Sequence, residues 1–479
     1  MLAKKPVNFV LIWCLWMLAS CVPSHPKEEF STEPEVLIDL DQIKKRGYIN
    51  ALVDNNSISY FIYKGQSMGY EYELLNDLAK HLGVGLKITI TTGVDRAIDQ
   101  LNRGEGDILA FSLAVTKERS KFIAFGNPHF HTHQVLVQRK PDSWRKMPVD
   151  EINSKLIRNP IELIGKEVYV LPGTSYETRL HHLSEEIGGD IIIRKDTTIA
   201  ESESLMRKVA FGEIDYTVAD HLIANVNAYY YPNLDVATPL SVSQRIAWAT
   251  RINSPDLLAA MNEWMVKVKK EATFMVIFNR YYKSPRTSLI RLKSDYSSLG
   301  GNKLSPFDTL IKEGAQKLGW DWRLLASLVY QESHFLPQGE SWAGARGLMQ
   351  LMPATAQRFG AVDLDDPRQS LRAGVGYIRY LDRFWLKKVP DQKERIKFIL
   401  ASYNAGLSHI VDAWQLAKKH GKDSRRWDGQ VEYILLKKSD PKFYRDPVVT
   451  AGYCKCEEPV NYVRDVLDRF EEYRLHIAS

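Results

Sequence analysis

The chain has 479 residues, and at roughly 100–200 residues per domain this length predicts several domains. Apolar residues make up 44% and charged residues 25%, which excludes a disordered chain, a collagen-like chain and a disulfide-stapled miniprotein. The formal net charge of +6 is too small to predict nucleic-acid binding. The 11 Trp and 23 Tyr favour grooves for sugars, peptides or bases without choosing among them.

Residues 1–20 have the pattern of a bacterial lipoprotein signal peptide. A short basic segment precedes an apolar run that is too short to span a membrane, and the run ends in Leu18-Ala19-Ser20-Cys21. This ending resembles the lipobox, which implies a lipid group on Cys21 and cleavage just before it. Val22 stands where one inner-membrane retention signal has Asp, so we expect an outer-membrane, lipid-anchored protein that faces the periplasm. The alternative is an ordinary cleaved signal with an incidental cysteine.

Residues 21–35 are mostly polar and predict a tether, and residues 36–287 then alternate strand-like and helix-like segments. The pattern predicts strands at Tyr48–Val53, Leu86–Ile90 and Ile108–Phe111, and helices at Glu71–Leu82 and Arg96–Asn102. This rhythm is typical of an α/β module with mostly parallel strands.

The strand pattern fades after residue 302. Helical spacing is found in Phe307–Leu318, Trp322–Gln331, Pro353–Phe359, Leu371–Phe384, Lys393–Tyr403 and Val460–Tyr473. We therefore predict a linker at 288–301, where Ser, Gly, Lys and Arg are frequent, and a helical domain at 302–479.

Cys454 and Cys456 are the two cysteines outside the signal peptide and the lipobox. A metal site needs about four ligands, and no histidine pair lies near these two. We therefore expect no metal and no other cofactor. A local disulfide and two free thiols both remain open for the pair.

Glu332 has the sequence context of a catalytic acid. It follows the strongly apolar segment Trp322–Gln331, and a carboxyl group beside such residues is partly desolvated. Desolvation disfavours the charged form and raises the pKa, so the group can serve as a general acid near neutral pH. For Glu332 taken alone, a surface glutamate at a helix end is the commoner alternative.

Four linked motifs surround this acid. They are Gln331–Phe335, Gly344–Ala356, Ser402–Gly406 and Glu458–Val463, and their order and spacing resemble the soluble-lytic-transglycosylase family. Ser402 stands where that family often has Ala, and Pro459 where it often has Thr. The resemblance implies an α-helical, lysozyme-like (α+β) fold for residues 302–479.

The same resemblance implies an enzyme that cleaves the β-1,4 bond between N-acetylmuramic acid and N-acetylglucosamine in peptidoglycan without water. Glu332 would protonate the leaving oxygen and then take the proton of the C6 hydroxyl, giving a 1,6-anhydro sugar. Ordinary hydrolysis uses two carboxylates, and none of Asp321, Glu340 and Glu458 has the local context of the second. The substrate-binding residues implied by the family are Ser333, Met349, Gln350, Tyr403, Asn404 and Tyr462.

The first module resembles the periplasmic amino-acid-binding proteins of transporters, solute-binding family 3. The stretches that carry this resemblance include Gly69–Leu74, Gly106–Ile108, Ser112–Arg119 and Gly173–Ser175. It implies two lobes around a hinged cleft, and we place the crossovers between the lobes near Val137–Lys140 and Ala237–Arg245.

A set of ligand-binding residues follows from this second resemblance. Arg119 would bind the α-carboxylate of an amino acid, because a guanidinium matches two carboxylate oxygens. Asp220 would bind its α-ammonium group, Tyr60 would stack on it, and Ser112 and Thr174 would donate hydrogen bonds. The alternative is a degenerate, ligand-free pair of lobes that serves as a spacer.

Together these observations predict a peptidoglycan-cleaving enzyme that is modulated by an amino acid or a murein stem peptide in the cleft of its first module. Two other functions stay open. One is a murein-tethered solute-binding receptor without catalysis, and the other is a muramidase that hydrolyses the same bond with water.

Overall fold

The structure is a computed structural model that describes residues 34–198 and 202–478. The predicted signal peptide, the predicted lipidation site at Cys21 and most of the predicted tether lie outside these residues. Within the described ranges, every helix is too short or too polar to cross a membrane.

The first module is built from strands and helices that alternate along the chain. Its strands are β1 (Tyr48–Val53), β2 (Phe61–Tyr63), β3 (Gln66–Met68), β4 (Gly85–Ile90), β5 (Ile108–Leu109), β6 (Ala124–Phe125), β7 (Phe130–Thr132), β8 (Gln134–Arg139), β9 (Glu167–Val170), β10 (Ile192–Lys195), β11 (Tyr216–Asp220), β12 (Leu234–Pro239), β13 (Gln244–Ile246) and β14 (Ala249–Thr250). Its helices are α1 (Leu40–Arg46), α2 (Tyr70–Leu82), α3 (Val94–Asn102), α4 (Val149–Ser154), α5 (Ser175–Ile187), α6 (Ser202–Phe211), α7 (His221–Tyr230), α8 (Pro255–Val268), α9 (Ala272–Phe278) and α10 (Pro285–Leu292).

These strands form one five-stranded sheet in each of two lobes. The order is β4-β1-β5-β14-β6 in the first lobe and β10-β9-β11-β8-β12 in the second. Three neighbouring strands are parallel in each sheet, whereas β14 and β8 run antiparallel to both of their neighbours. The prediction of mostly parallel strands therefore holds only for the strand–helix–strand part. The strands β14 and β8 enter their sheets directly from the other lobe, without the helical crossover that a parallel connection needs.

The chain crosses between the lobes at a small ribbon made of β7 and β13, in which Thr132 pairs with Gln244. The first predicted crossover, Val137–Lys140, was wrong. Val137 lies inside β8 and pairs with Thr217 in the second lobe, so the crossing has already taken place before β8 begins. The second predicted crossover overlaps β13. Strands on both sides of a hinge have the same alternation of apolar residues. The sequence therefore did not show at which residue the chain passes from one lobe to the other.

The second module is helical. Its helices are α11 (Asp308–Leu318), α12 (Trp322–Ser333), α13 (Pro353–Arg358), α14 (Pro367–Leu386), α15 (Gln392–Ala405), α16 (Leu407–Lys419), α17 (Glu432–Lys437), α18 (Pro441–Tyr444) and α19 (Glu457–His476). α12 packs against α11 and α19, and α14 packs against α15, around the fully buried Leu325, Leu328, Trp385 and Phe398. The predicted fold class, a two-lobed α/β module followed by a lysozyme-like helical domain, is confirmed.

The segment predicted as a linker is structured and packs against the first module. It starts in α10, and Ser297 then forms an antiparallel bridge with Tyr63 in β2. The N–H of Ser298 donates to the carbonyl of Ile62 at 2.9 Å, and the N–H of Lys64 donates to the carbonyl of Tyr296 at 2.8 Å. Residues 296–298 therefore lie along the β2–β3 hairpin as a third strand-like segment.

The same hairpin holds the two modules together. Its tip inserts between α12 and α19, where the hydroxyl of Tyr473 donates to the carbonyl of Gly65 at 2.7 Å. Gly65 has φ +77°, and a Cβ atom at this position would lie 2.5 Å from Phe335 and 2.8 Å from Tyr330. Ile62 is fully buried in the core of the helical domain. This contact is close-packed and leaves no space for a side chain at residue 65.

Candidate active site and ligand cleft

Glu332 lies in the last turn of α12. The helix begins at Asp321, whose side chain accepts the N–H of Arg323, and it ends at His334, which adopts the left-handed conformation with φ 50°. The apolar face of α12 is fully buried, so the carboxyl group of Glu332 is held at the edge of the core. A carboxylate at the C-terminal end of a helix also faces the negative end of the helix dipole.

Burial raises the pKa of Glu332 from its usual 4.5 to about 7. The hydroxyl of Tyr462, on α19, donates a hydrogen bond to Oε1 of Glu332 and opposes this rise because it stabilises the carboxylate. Near neutral pH the group is therefore divided between its acid and its base forms. A single residue with such a pKa can give a proton in one step and take one in the next.

Tyr403 is the second tyrosine at this site. Its hydroxyl donates to the carbonyl of Met349 at 2.7 Å. Burial raises the pKa of Tyr403 well above its usual value, and the negative charge of Glu332 raises it further. The structure thus brings Glu332, Tyr403 and Tyr462 together from α12, α15 and α19.

The other predicted substrate-binding residues support the backbone of the site. Met349 is fully buried and offers no surface to a sugar in this conformation. The hydroxyl of Ser333 donates to the carbonyl of Val329 at 3.1 Å, and the amide nitrogen of Gln350 donates to the carbonyls of Gly339 and Gly347. Asn404 is half-buried in the last turn of α15. Direct contact of these residues with substrate stays a prediction.

The three carboxylates considered from the sequence as a second acid each have their own surroundings. Asp321 forms an ion pair with Arg323 at 2.6 Å and lies at the opposite end of α12, roughly 16 Å away along the helix. Glu340 is exposed and lies 4.0 Å from Arg346. Glu458 is exposed and lines, together with Tyr462, a pocket of about 380 Å³.

Cys454 and Cys456 are joined by a disulfide bond. Cys456 is buried and stands directly before α19, the helix that carries Tyr462. Of the two states that the sequence left open, the structure shows the disulfide.

The first module contains a cavity of about 440 Å³ between its lobes. Ser112, Arg119, Thr174 and Asp220 all line it, so the structure brings together four of the five predicted ligand-binding residues. Arg119 donates to the carbonyl of Ala114 at 3.1 Å, and burial lowers the pKa of its guanidinium. Burial raises the pKa of Asp220 to about 7, and the hydroxyl of Tyr176 donates to this carboxylate at 3.2 Å.

Tyr60 is the predicted ligand-binding residue that the structure places elsewhere. It is fully buried, stacks on Tyr72 with ring centres 5.4 Å apart and contacts His476 of α19 at 4.7 Å. The expected stacking on a ligand was therefore wrong, because this ring packs where the first module meets the helical domain. The sequence does not show that the segment before β2 turns away from the cleft.

Two acidic residues in the cavity were not identified from the sequence. Asp54 and Glu203 line it together with Asp220. Asp54 directly follows β1, one of the parallel strands, and ligands of α/β folds bind at the carboxyl ends of such strands. That signal was present in the sequence. Glu203 is in the first turn of α6 and had no comparable signal.

The fold and the two sites define a solute-binding module joined to a lytic-transglycosylase domain. Residues 49–284 match the family of bacterial extracellular solute-binding proteins, family 3, and residues 309–425 match the Transglycosylase SLT domain. The membrane-bound lytic murein transglycosylase F of Desulfosudis oleivorans is 35% identical to this chain over 98% of both chains. The protein of that name from Pseudomonas fluorescens is 30% identical and covers 89% of this chain and 85% of its own.

This chain belongs to the membrane-bound lytic murein transglycosylase F family. Two solved structures are similar to about half of this chain. A mutant of ArgBP from T. maritima covers 52% of this chain and 100% of its own at 25% identity, with a TM-score of 0.44. The ancestral amino acid-binding protein AncCDT-1 covers 51% and 98% at 27% identity, with a TM-score of 0.42. The matches to the two family models confirm both resemblances that the sequence motifs indicated.

The raised pKa of Glu332 predicts a pH-dependent effect of Glu332→Gln on stability. The folded state holds a proton on Glu332 between pH 4.5 and about 7 that the unfolded state has lost, so the wild type loses stability as the pH rises through this window. Glutamine does not titrate. We expect Glu332→Gln to be as stable as the wild type at pH 4 and more stable at pH 8, by up to roughly 3 kcal/mol.

Urea unfolding of both proteins at the two pH values measures this difference. Asp363→Asn, at an exposed carboxyl group of the same domain, is the control and should show no such gain. An equal effect of Glu332→Gln at both pH values would contradict the raised pKa.

Proposed function

We propose that this protein is a lytic transglycosylase that cleaves the β-1,4 bond between N-acetylmuramic acid and N-acetylglucosamine in peptidoglycan and leaves a 1,6-anhydro end. One observation carries the proposal. Glu332 is a carboxyl group whose pKa burial raises to about 7, and it accepts a hydrogen bond from Tyr462 at the place where Tyr403 also lies. The relatives named lytic murein transglycosylase support the same activity.

The reaction needs one group that acts first as an acid and then as a base. Protonated Glu332 gives its proton to the glycosidic oxygen, and the bond to C1 of the muramoyl sugar breaks. The N-acetyl carbonyl of that sugar attacks C1 and takes the place of an enzyme nucleophile. Glu332, now a carboxylate that accepts the hydrogen bond of Tyr462, takes the proton of the C6 hydroxyl. The C6 oxygen then closes on C1 and displaces the carbonyl oxygen, so no water is consumed.

The two alternatives make different demands on this site. A hydrolase of the usual kind needs a second carboxylate at about 5–10 Å. A receptor without catalysis needs no proton donor in the helical domain, and keeping a carboxyl group buried there costs stability. Glu332, with its raised pKa and its hydrogen bond from Tyr462, fits the transglycosylase better than either alternative.

The products of a murein digest test this proposal. We expect the soluble form that lacks residues 1–21 to release anhydro-muropeptides from purified sacculi, and Glu332→Gln to release none above background. Mass spectrometry separates the outcomes, because an anhydro end is one water lighter than a reducing end. Reducing ends would establish hydrolysis instead, and equal release by Glu332→Gln would show that Glu332 is not the acid.

We further propose that an amino acid or a murein stem peptide binds between the lobes and modulates the enzyme. Arg119 of the first lobe would bind its α-carboxylate, and Asp220 of the second lobe would bind its α-ammonium group. Both side chains line the same cavity, which supports this assignment. A ligand that bridges two lobes favours their closed arrangement.

A short chain of contacts joins the cavity to the catalytic acid. The hydroxyl of Ser112 donates to Glu71 at 3.3 Å, and the indole N–H of Trp248 donates to the same carboxylate at 2.6 Å. Glu71 is in the first turn of α2, which directly follows the β2–β3 hairpin. The tip of that hairpin, Gly65, packs on Tyr330 and on Phe335, which lie on either side of Glu332 in sequence. A shift of α2 can therefore reach the end of α12.

Substitution of Gly65 tests this connection. Gly65→Ala would force the hairpin tip away from Tyr330 and Phe335, whereas Gly83→Ala places the same change at a similar φ, +71°, with no neighbour within 4 Å. The measured quantity is murein release with ligand divided by murein release without ligand. We expect this ratio to fall to about one in Gly65→Ala and to keep its wild-type value in Gly83→Ala. The probes are an equimolar mixture of L-amino acids and a purified stem tripeptide.

Arg119→Ala separates loss of coupling from loss of binding in the same assay. This variant should lose the response because the ligand no longer binds, which calorimetry detects, whereas Gly65→Ala should still bind it. An unchanged response in Arg119→Ala would contradict this cleft as the regulatory site.

We propose that the protein is attached to the outer membrane by a lipid group on Cys21 and faces the periplasm. The lipobox-like Leu18-Ala19-Ser20-Cys21 supports this location, as does the word membrane-bound in the names of the relatives. In cells, Cys21→Ala should move from the detergent phase to the aqueous phase of a Triton X-114 extract, while Cys14→Ala should stay with the detergent. Equal partition of the wild type and Cys21→Ala would contradict the anchor.

A further inference from the structure

The cavity between the lobes carries an unbalanced set of charges. Its charged lining residues are the carboxyl groups of Asp54, Glu203 and Asp220 and the guanidinium of Arg119. None of these four forms an ion pair with another residue in the ranges 34–198 and 202–478. Three carboxyl groups therefore face one cation in a space where charge is poorly solvated.

A simple α-amino acid would balance only part of this set. Its α-carboxylate takes Arg119 and its α-ammonium group takes Asp220, as proposed above for the function of the cleft. Asp54 and Glu203 are then left without a cation. A buried carboxylate without a partner is costly, so a ligand that supplies a further positive charge binds better than one that does not.

The two remaining carboxyl groups come from opposite lobes. Asp54 follows β1 in the first lobe, whereas Glu203 begins α6 in the second. The lobes touch at this point, where the hydroxyl of Ser57 donates to Glu203 at 2.7 Å. Burial raises the pKa of Glu203, and the charge of Asp54 raises it further. Each of these two carboxyl groups therefore disfavours the ionised form of the other across the closing lobes.

Unused hydrogen-bond acceptors lie on the first-lobe side of the same point. The Oδ1 atoms of Asp54 and Asn55 are both buried, and neither accepts a hydrogen bond from a described residue. Both residues line the cavity. Buried acceptors without donors call for a ligand that is rich in N–H groups, as an ammonium or a guanidinium is.

We propose that the cleft binds an α-amino acid whose side chain ends in an amine or a guanidinium, and that this cation lies between Asp54 and Glu203. The inference rests on the proposed function of the cleft as an amino-acid site. The side-chain cation replaces the repulsion between the two lobes by an attraction of each lobe to the ligand. A cationic ligand thus favours closure, whereas a neutral ligand of the same shape leaves the repulsion in place.

Two sources offer this chemistry. One is a free basic amino acid, and the other is the diamino acid residue of a murein stem peptide, whose second amine has the same character. The pocket volume of about 440 Å³ lies within the range of roughly 300–1,000 Å³ that is usual for small-molecule sites.

Calorimetry with matched ligands tests the proposal on the full-length protein in detergent. L-arginine and L-citrulline have the same shape, but citrulline carries a neutral urea in place of the guanidinium. We expect arginine to bind about 10- to 100-fold more tightly than citrulline, since hydrogen bonds to a charged group contribute about that much. L-lysine against L-norleucine repeats the comparison for an amine. A stem tripeptide that ends in diaminopimelate tests the murein source.

Variants of Asp54 and Glu203 test whether these two residues cause the preference for arginine over citrulline. Asp54→Asn and Glu203→Gln should each bring the arginine-to-citrulline ratio toward one, with little change in citrulline affinity. Glu118→Gln is the control, because this exposed carboxyl group lies near Arg119 but outside the cavity of Asp54 and Glu203, and it should keep the wild-type ratio. Both test variants remove a buried charge, so thermal unfolding should show a fold at least as stable as the wild type.

The outcomes separate this inference from the proposed function. Equal binding of arginine and citrulline, or a ratio that survives both carboxyl variants, would overturn the cation site and leave the amino-acid site standing. No binding of any amino acid or stem peptide would overturn both. Binding of the tripeptide alone, with the same loss in Asp54→Asn and Glu203→Gln, would support the site and assign murein as its source.

Discussion

The burial of one carboxyl group at the end of α12 is the constraint around which the helical domain is arranged. An acid that keeps its proton near pH 7 needs an environment with little water, and α12 provides this because its apolar face is fully buried. In the proposed reaction, the same group must also be stable as a carboxylate after the first proton transfer. Tyr462 serves that state, and Tyr403 completes the tyrosine pair from a third helix. Three helices must therefore pack in register for one residue to act.

The contact between the modules is made on the same helix end. The β2–β3 hairpin of the first module reaches Tyr330 and Phe335, the neighbours of Glu332, and its tip is held by a hydrogen bond from Tyr473 of α19. If the modules were joined only by a flexible tether, opening or closing of the cleft would not change the surroundings of Glu332. Close packing at a glycine transmits displacement, because neither side can yield without a shift of backbone.

The cleft and the active site use buried carboxyl groups in opposite ways. In the proposed reaction, the raised pKa of Glu332 allows it to donate a proton near neutral pH. Asp54 and Glu203 come from two lobes, and in the proposed ligand site their mutual repulsion opposes closure until a cation enters. In this proposal, ligand binding and catalysis both depend on the cost of an unpaired charge away from water.

The local features could be predicted from the sequence: the helices from their apolar spacing, and the candidate residues Glu332, Arg119 and Asp220 from their motifs. These predictions depend on residues near each other in the chain. The packing of Tyr60, the contact of the hairpin with α12, and the shared cavity of Asp54 and Glu203 became visible in the folded structure. Each of these joins segments that are distant in sequence, and periodicity carries no information about which distant surfaces will meet.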